Sequence, residues 1–227
     1  MKEGLRTVPI NLVHSLLHRV EDGWDPITEV YARSYASFVS NGDEALVDKL
    51  DGIVGGLKGR RVLDIGAGPG QYSVLFAKRG AHVAWYDVSR EYERIARARA
   101  EKGGVSLTFS LGYLEEAKRL GTGSFDLVFC KGCWAYCRSD RRFANLIYSL
   151  IMPGGVGYVE CDTAVFSKPQ GIRKVQYKLN AHLEWKIGHP VPPHGRIARL
   201  IQKYPIKHLD LNYSSDLRDI VTFVKSG

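Results

Sequence analysis

The chain has 227 residues, 44% hydrophobic and 25% charged, a length and balance suited to one α/β domain rather than a disordered or fibrous chain. No apolar run approaches the roughly 20 residues of a membrane span, and the N-terminus lacks the basic, apolar and small-residue order of a secretory signal, so a cytoplasmic protein with no membrane partner is expected. The net charge of +8 is concentrated: nine basic residues from Lys168 to Lys207 face one acid, Glu184, and a localised positive field favours an anionic partner, although long Lys and Arg stems also make ordinary solvated surface.

In chain order, residues 1–58 read as helical. Leu12, Leu16, Leu17 and Val20 form one apolar stripe. Asp25-Pro26 looks like an N-cap followed by proline at the first helical position, and Ile27, Val30, Tyr31, Tyr35 and Phe38 then recur at helical spacing. A third helix is expected from Asp43 to the glycines Gly55-Gly56.

Strand and helix alternate over residues 61–161. Strands are predicted at 61–65, 82–86, 106–109, 125–130 and 156–161. Helices are predicted at 70–78, stopped by Gly80, at 89–100 behind a Ser89 cap, and at 140–151, closed by Pro153-Gly154-Gly155. This alternation calls for a parallel sheet with helices on both faces. Residues 168–204 hold two basic helices. Ile172, Val175, Leu179 and Leu183 form the stripe of the first, and Ile197, Leu200, Ile201 and Tyr204 that of the second, with Arg196, Arg199 and Lys203 on its other face. The prolines between them exclude regular structure there. Two strands, 206–213 and 219–225, should close the chain as a hairpin.

Cys130, Cys133 and Cys137 invite a metal reading, but no fourth ligand lies at a suitable spacing. Cys130 ends an apolar strand, where a thiol behaves as a small hydrophobe. No metal is expected, and no disulfide in the cytosol.

The chemistry-bearing segment is Val62-Leu63-Asp64-Ile65-Gly66-Ala67-Gly68-Pro69-Gly70. A dinucleotide fingerprint would put its third glycine at position 71, which is Gln71. An acid at Asp64 beside the loop would repel a pyrophosphate, but it suits a ligand carrying an ammonium and a sulfonium. Asp87 lies at the end of strand two, 21 residues after Gly66. A carboxylate there can accept from two ribose hydroxyls, or can serve as the N-terminal charge of the helix behind Ser89.

With residues 125–129 and Met152-Pro153-Gly154-Gly155, these motifs resemble the ordered motifs of class I S-adenosylmethionine-dependent methyltransferases. The resemblance covers residues 58–161, and the closing strand pair is similar to the family's C-terminal hairpin. It implies an α/β Rossmann-like three-layer sandwich with a seven-stranded, mostly parallel sheet of order 3-2-1-4-5-7-6, strand seven antiparallel. It implies a single methyltransferase domain over 1–227, divided into an N-terminal helical cap (1–58), a cofactor-binding core (59–163), a basic helical lid (164–205) and a hairpin (206–227).

Carried over by position, the family's roles put the methionine part of S-adenosylmethionine against Asp64, Gly66, Ala67, Gly68 and Gly70. They put the ribose on Asp87 and the adenine against Val88. Many members have an acid after strand three, and here Tyr113 replaces it, with Leu114 behind; Tyr113 would stack on the adenine or bond through its hydroxyl. Backbone atoms of Lys131 and Gly132 would meet the cofactor's amino acid part. Tyr31 and Tyr35 resemble aromatic residues of a helix that covers the cofactor; core packing is the other reading of their spacing.

Methyl transfer is an in-line displacement, and a base is needed only where the acceptor must lose a proton. The residues placed to serve are His189 and His194 in the proline-rich linker and Tyr136 after strand four, with Trp134 and Asp162 nearby; Tyr136 and Trp134 equally suit pocket walls. The Asn/Asp-Pro-Pro-Tyr/Phe signature of many amino methyltransferases is replaced by Lys131-Gly132-Cys133-Trp134, which favours an oxygen acceptor on a small molecule, and the basic segment suggests that this molecule is anionic. An RNA methyltransferase using residues 168–208 as a phosphate track, and a non-catalytic cofactor-binding regulator, are the alternatives.

Overall fold

The computed structural model describes residues 20–39, 41–163, 175, 186, 191–212 and 218–227. His189, the stripe residues Leu12, Leu16 and Leu17, and nearly all of the first basic helix lie outside the described residues.

Seven strands form one sheet of order β3-β2-β1-β4-β5-β7-β6. They are β1 (Arg61–Ile65), β2 (His82–Asp87), β3 (Thr108–Leu111), β4 (Phe125–Lys131), β5 (Ile151–Asp162), β6 (Ile206–Asn212) and β7 (Arg218–Lys225). The first five pair in parallel, and β7 runs antiparallel between β5 and β6. This is the order expected from the sequence. The helices are α1 (Glu29–Phe38), α2 (Glu44–Val54), α3 (Gln71–Lys78), α4 (Arg90–Lys102), α5 (Asp140–Leu150) and α6 (Arg196–Ile201).

Strand side chains alternate between two apolar layers, as a sheet covered on both faces requires. Leu63, Ile65, Val128, Cys130, Val159, Val221 and Phe223 face Phe143 and Ile147 of α5 and Ile197 and Ile201 of α6. Val62, Leu127, Phe129, Val156 and Tyr158 face Val47 and Leu50 of α2 and Tyr72 and Phe76 of α3. Of the stripe predicted for the second basic helix, Ile197, Leu200 and Ile201 are buried in α6, and Tyr204 follows the helix, packed against the same layer.

Four expectations need correction. Asp25-Pro26 does not open a helix: α1 starts at Glu29, capped by the Thr28 hydroxyl. Asp25 works at longer range, its Oδ2 accepting from Ser89 Oγ at 3.1 Å and Glu91 N at 2.9 Å, so that it anchors the start of α4. The large stripe of α1 is not core, because its buried residues are Ala32 and Ala36, while Phe38 is 86% and Tyr31 56% exposed. β3 lies two residues later than predicted. The Pro153-Gly154-Gly155 turn is taken into an irregular opening of β5, whose register against β4 shifts between Phe125 and Leu127.

Candidate functional site

The carboxyl ends of the parallel strands form one edge of the sheet, and the order reverses between β1 and β4, where open α/β sheets bind ligands. β1 runs directly into the glycine loop. Gly66, Gly68 and Gly70 have φ of 69°, 53° and 79°, angles that disfavour any side chain. A Cβ at Gly66 would lie 2.4 Å from Cys133 Cβ, and one at Gly70 2.6 Å from Ala96 Cβ. At Gly68 the nearest atom to such a Cβ is Tyr35 Cε1, 4.0 Å away. The outer glycines therefore serve packing, and the middle one leaves a cradle beneath the Tyr35 ring. Gly66→Ala should cost about 2–4 kcal/mol in chemical denaturation, from overpacking plus backbone strain.

The loop is fastened to β2. Gly66 N and Ala67 N both donate to the Tyr86 carbonyl, at 2.8 and 3.2 Å. Gly68 N donates to Asp87 Oδ2 at 2.9 Å, and Trp85 Nε1 donates to the Gly68 carbonyl at 3.0 Å.

Two buried carboxylates flank this loop. Asp64 accepts from Ser73 Oγ at 2.6 Å through Oδ2. Burial, and then the nearby Asp87, push its carboxyl up to about 7, against the lowering effect of Ser73. Asp87 accepts from Ser89 N at 3.0 Å through Oδ1. Burial pushes it up to about 6, with the backbone donors of Gly68, Ser89 and Val88 working the other way. Asp87 thus ties the glycine loop to the entry of α4, and each oxygen keeps acceptor capacity for a further donor.

An aromatic rim stands around the loop. Tyr31 and Tyr35 stack at 6.2 Å, and Tyr35 meets Tyr92 at 5.9 Å. Tyr136, 60% exposed, lies within electrostatic reach of Tyr31, Tyr35, Cys133 and Asp162. Leu114 reaches within 3.8 Å of the Cβ position of Gly66. Val88 is half-buried beside Asp87.

Other predicted residues are engaged differently. The Tyr113 ring stacks on Trp24 at 6.3 Å, and the Arg138 guanidinium sits 5.4 Å from its centre. The Lys131 ammonium pairs with Glu160, and Gly132 N donates to the Glu160 carbonyl at 2.8 Å. Trp134 is no pocket wall: it is fully buried, with Nε1 on Asp140 Oδ1 at 3.0 Å and its ring edge-on to Phe143. Asp162 is paired with Arg218 at 3.0 Å. The four cysteines are buried and reduced, and among the described residues no group of three His, Cys, Asp or Glu side chains is arranged to hold a metal ion.

Ser73, Trp85 and Trp24 were not singled out from sequence, and Asp25 was read only as a local cap. Each acts on a partner that only the folded sheet brings near.

The donor set fits a ligand that is cationic at one end and carries a diol at the other. Two buried carboxylates flank a glycine cradle, and Gln71 Oε1, in the first turn of α3, is buried with no hydrogen-bond partner among the described residues, an acceptor suited to an ammonium. Residues 62–155 match the family model described as a methyltransferase domain. That match takes in the glycine loop, both buried carboxylates and strands β1 to β4.

Among curated proteins, it is 36% identical over 101 residues to the ubiquinone biosynthesis O-methyltransferase of Aeromonas salmonicida, a match spanning 44% of this chain and 42% of that one. The Cronobacter sakazakii enzyme of the same name is 34% identical over an equal share. The matched segment is less than half the length of these relatives. Among solved structures, phosphoethanolamine N-methyltransferase 2 of Haemonchus contortus, in complex with phosphomonomethylethanolamine and S-adenosylhomocysteine, superposes with a TM-score of 0.70 at 16% identity, covering 88% of this chain and 59% of that one. The [4+2]-cyclase SpnF superposes with a TM-score of 0.62 at 14% identity, covering 81% of this chain and 80% of that one. At such identities the shared property is the fold.

Proposed function

We propose that the chain transfers a methyl group from S-adenosylmethionine to a hydroxyl oxygen of a small molecule. The observation that carries this reading is the pair of buried carboxylates, Asp64 and Asp87, on either side of the Gly66–Gly68 loop. In it, Asp64 and Gln71 hold the ammonium end of the cofactor, Asp87 holds the ribose, and Val88, Tyr113 and Leu114 border the adenine. The Lys131-Gly132 backbone borders the amino acid part, and Tyr31 and Tyr35 cover the site. When bound, the cofactor supplies a methyl group made electrophilic by its sulfonium. The protein's own work is then to place the acceptor oxygen in line and to receive its proton.

Oxygen as the acceptor atom is supported by the names of the curated relatives. An anionic acceptor rests on the basic segment, and the structure narrows what that segment offers. Lys186 and Arg196 are both committed to Asp140, which leaves Arg199, Lys203 and Lys207 as the exposed cations in the described part of that segment. The same commitment takes two cations from an RNA track. A reading other than methyl transfer is kept in view by SpnF, a cyclase of this fold.

Isothermal calorimetry with S-adenosylmethionine, followed by incubation of the methyl-tritiated cofactor with panels of small hydroxylated and amino compounds and with RNA, tests the proposal. Label appearing in hydroxylated acceptors supports it. Binding without transfer, or label found only in amines or RNA, overturns it. Asp87→Ala should weaken cofactor binding roughly a hundredfold or more, the loss of two charge-assisted hydrogen bonds. It should also lower the melting temperature, because Gly68 N and Ser89 N lose their acceptor.

A further inference from the structure

The amino acid end of S-adenosylmethionine carries a carboxylate on the same carbon as its ammonium, and the glycine loop has no donor left for it. Gly66 N and Ala67 N donate to the Tyr86 carbonyl, Gly68 N to Asp87, and Gly70 N to the Ala67 carbonyl. Pro69 has no N–H. Beyond the loop, Gly132 N donates to the Glu160 carbonyl. The buried charges beside the loop, Asp64 and Asp87, are negative. A second anion brought among them needs a cation of its own.

Lys131 stands where that cation is required. Asp64 of β1 is the register partner of Phe129 of β4, so Lys131, two residues on, ends β4 level with Gly66. Residues two apart on a strand share a face, and this face turns toward α3. The Phe129 ring meets the Tyr72 ring at 4.9 Å, and Lys131 Nζ lies 5.9 Å from the centre of that same ring. Tyr72 follows Gln71 in the first turn of α3 and lies within electrostatic reach of Asp64. Lys131, Gln71 and Asp64 thus border one end of the cradle. Lys186 on Asp140, and His194, one-third exposed ahead of α6, belong to the opposite layer of the sheet.

The ammonium is also able to turn. Its side chain is 26% exposed, and it pairs with Glu160, which occupies one of its three donors. Glu160 does not depend on that pair. Its Oε2 also accepts from the Tyr158 hydroxyl at 2.7 Å, and its Oε1 from Arg218 Nη1 at 3.2 Å. Each oxygen of this buried carboxylate keeps a donor when Lys131 moves, and Arg218 remains as the counter-ion.

We infer that the Lys131 ammonium binds the carboxylate of S-adenosylmethionine, leaving Glu160 to Tyr158 and Arg218, and so selects the intact amino acid end of the cofactor. The inference rests on the reading of the chain as a methyltransferase. It gives a side-chain role to a residue whose backbone borders the same group. An analogue without the carboxylate leaves the ammonium on Glu160 and gains nothing from it.

The test is calorimetry of the full chain with S-adenosylmethionine and with decarboxylated S-adenosylmethionine, which keeps the ammonium, the sulfonium and the nucleoside. The wild type should bind the carboxylated form roughly thirtyfold more tightly, the effect of one charge-assisted hydrogen bond. Lys131→Met should lose most of that preference by weakening the carboxylated form alone, and Lys131→Arg should keep part of it. A wild type that binds both forms equally overturns the inference whatever the variants do, including a Lys131→Met chain that does not fold. A Lys131→Met protein that keeps the full preference, or that loses affinity for both forms by the same factor, overturns it as well. Absent binding of either form in the wild type defeats the methyltransferase reading instead, so the two failures are told apart.

Discussion

Asp64→Asn should produce a protein that is more stable at pH 8 and binds the cofactor far more weakly. Burial raises the Asp64 carboxyl from 3.8 to about 7, so between those values the folded chain binds more protons than the unfolded chain. Stability linked to this group is fully present below about 4 and is lost as pH rises through about 7. A shift of that size corresponds to roughly 4 kcal/mol as a ceiling. Asparagine removes the buried charge and can still accept from the Ser73 hydroxyl, so a gain of about 2 kcal/mol at pH 8 is expected by urea denaturation, shrinking to nothing near pH 4. The same change removes the negative partner of the ligand's ammonium and should weaken binding by roughly a hundredfold or more. In the wild type, cofactor affinity should fall as pH is lowered through 7 and then 6, because Asp64 and then Asp87 become protonated. Calorimetry across pH 5.5 to 8.5, on both proteins, checks the sign. A destabilised Asp64→Asn, or an affinity that rises on acidification, contradicts this account of the site.

The strand, glycine turn and helix around Asp64 were legible because their chemistry is local. A Cβ cannot follow φ of +53° to +79° without strain, and an acid beside the loop states its preference of ligand charge in four residues of sequence. The order of the strands was legible through the family resemblance and not through periodicity. What sequence concealed was long-range. Asp25 looked like a local cap because Asp-Pro is a local signal, yet its carboxylate is claimed by Ser89 and Glu91 across the fold. The α1 stripe had helical spacing, yet Tyr31 and Phe38 stay exposed while Tyr35 meets Tyr92, so the pattern alone could not tell a core face from a rim. Ser73 and Asp219 carry no motif. Each gains meaning only because a strand brings a carboxylate to one place and the start of a helix brings its partner there. The excess of charge in residues 168–208 was correct as a count and incomplete as electrostatics, since the acid that answers it, Asp140, is 56 residues before Arg196.

That acid carries the largest expected effect on stability. Asp140 opens α5, buried, with Trp134 Nε1 at 3.0 Å and Lys186 Nζ at 2.7 Å on Oδ1, and Arg196 Nε on Oδ2. Burial alone would raise its carboxyl; Lys186 and Arg196 override that and hold it below the ordinary carboxylate value. Its contribution is therefore present above the usual carboxylate range and is lost in acid, as pH falls through the folded value. The Lys186 side chain is only 4% exposed, so Asp140→Ala strands an ammonium and an indole N–H in the interior. The expected cost is about 3–5 kcal/mol, read by urea denaturation at pH 7. The double change Asp140→Leu with Lys186→Met removes both charges and should recover most of that loss, because Arg196 reaches solvent. If the double variant is as unstable as Asp140→Ala, the ion pair is not what the site needs, and hydrogen bonding to Trp134 is. Ser139 and Arg138 join this cluster to the turn that carries Tyr136, and α6 joins it to His194. Loosening Asp140 should therefore disturb the Tyr136 turn and the start of α6 before the glycine loop. Cofactor affinity per folded molecule should hold in Asp140→Leu with Lys186→Met, since none of the partners of Asp140 belongs to the glycine loop.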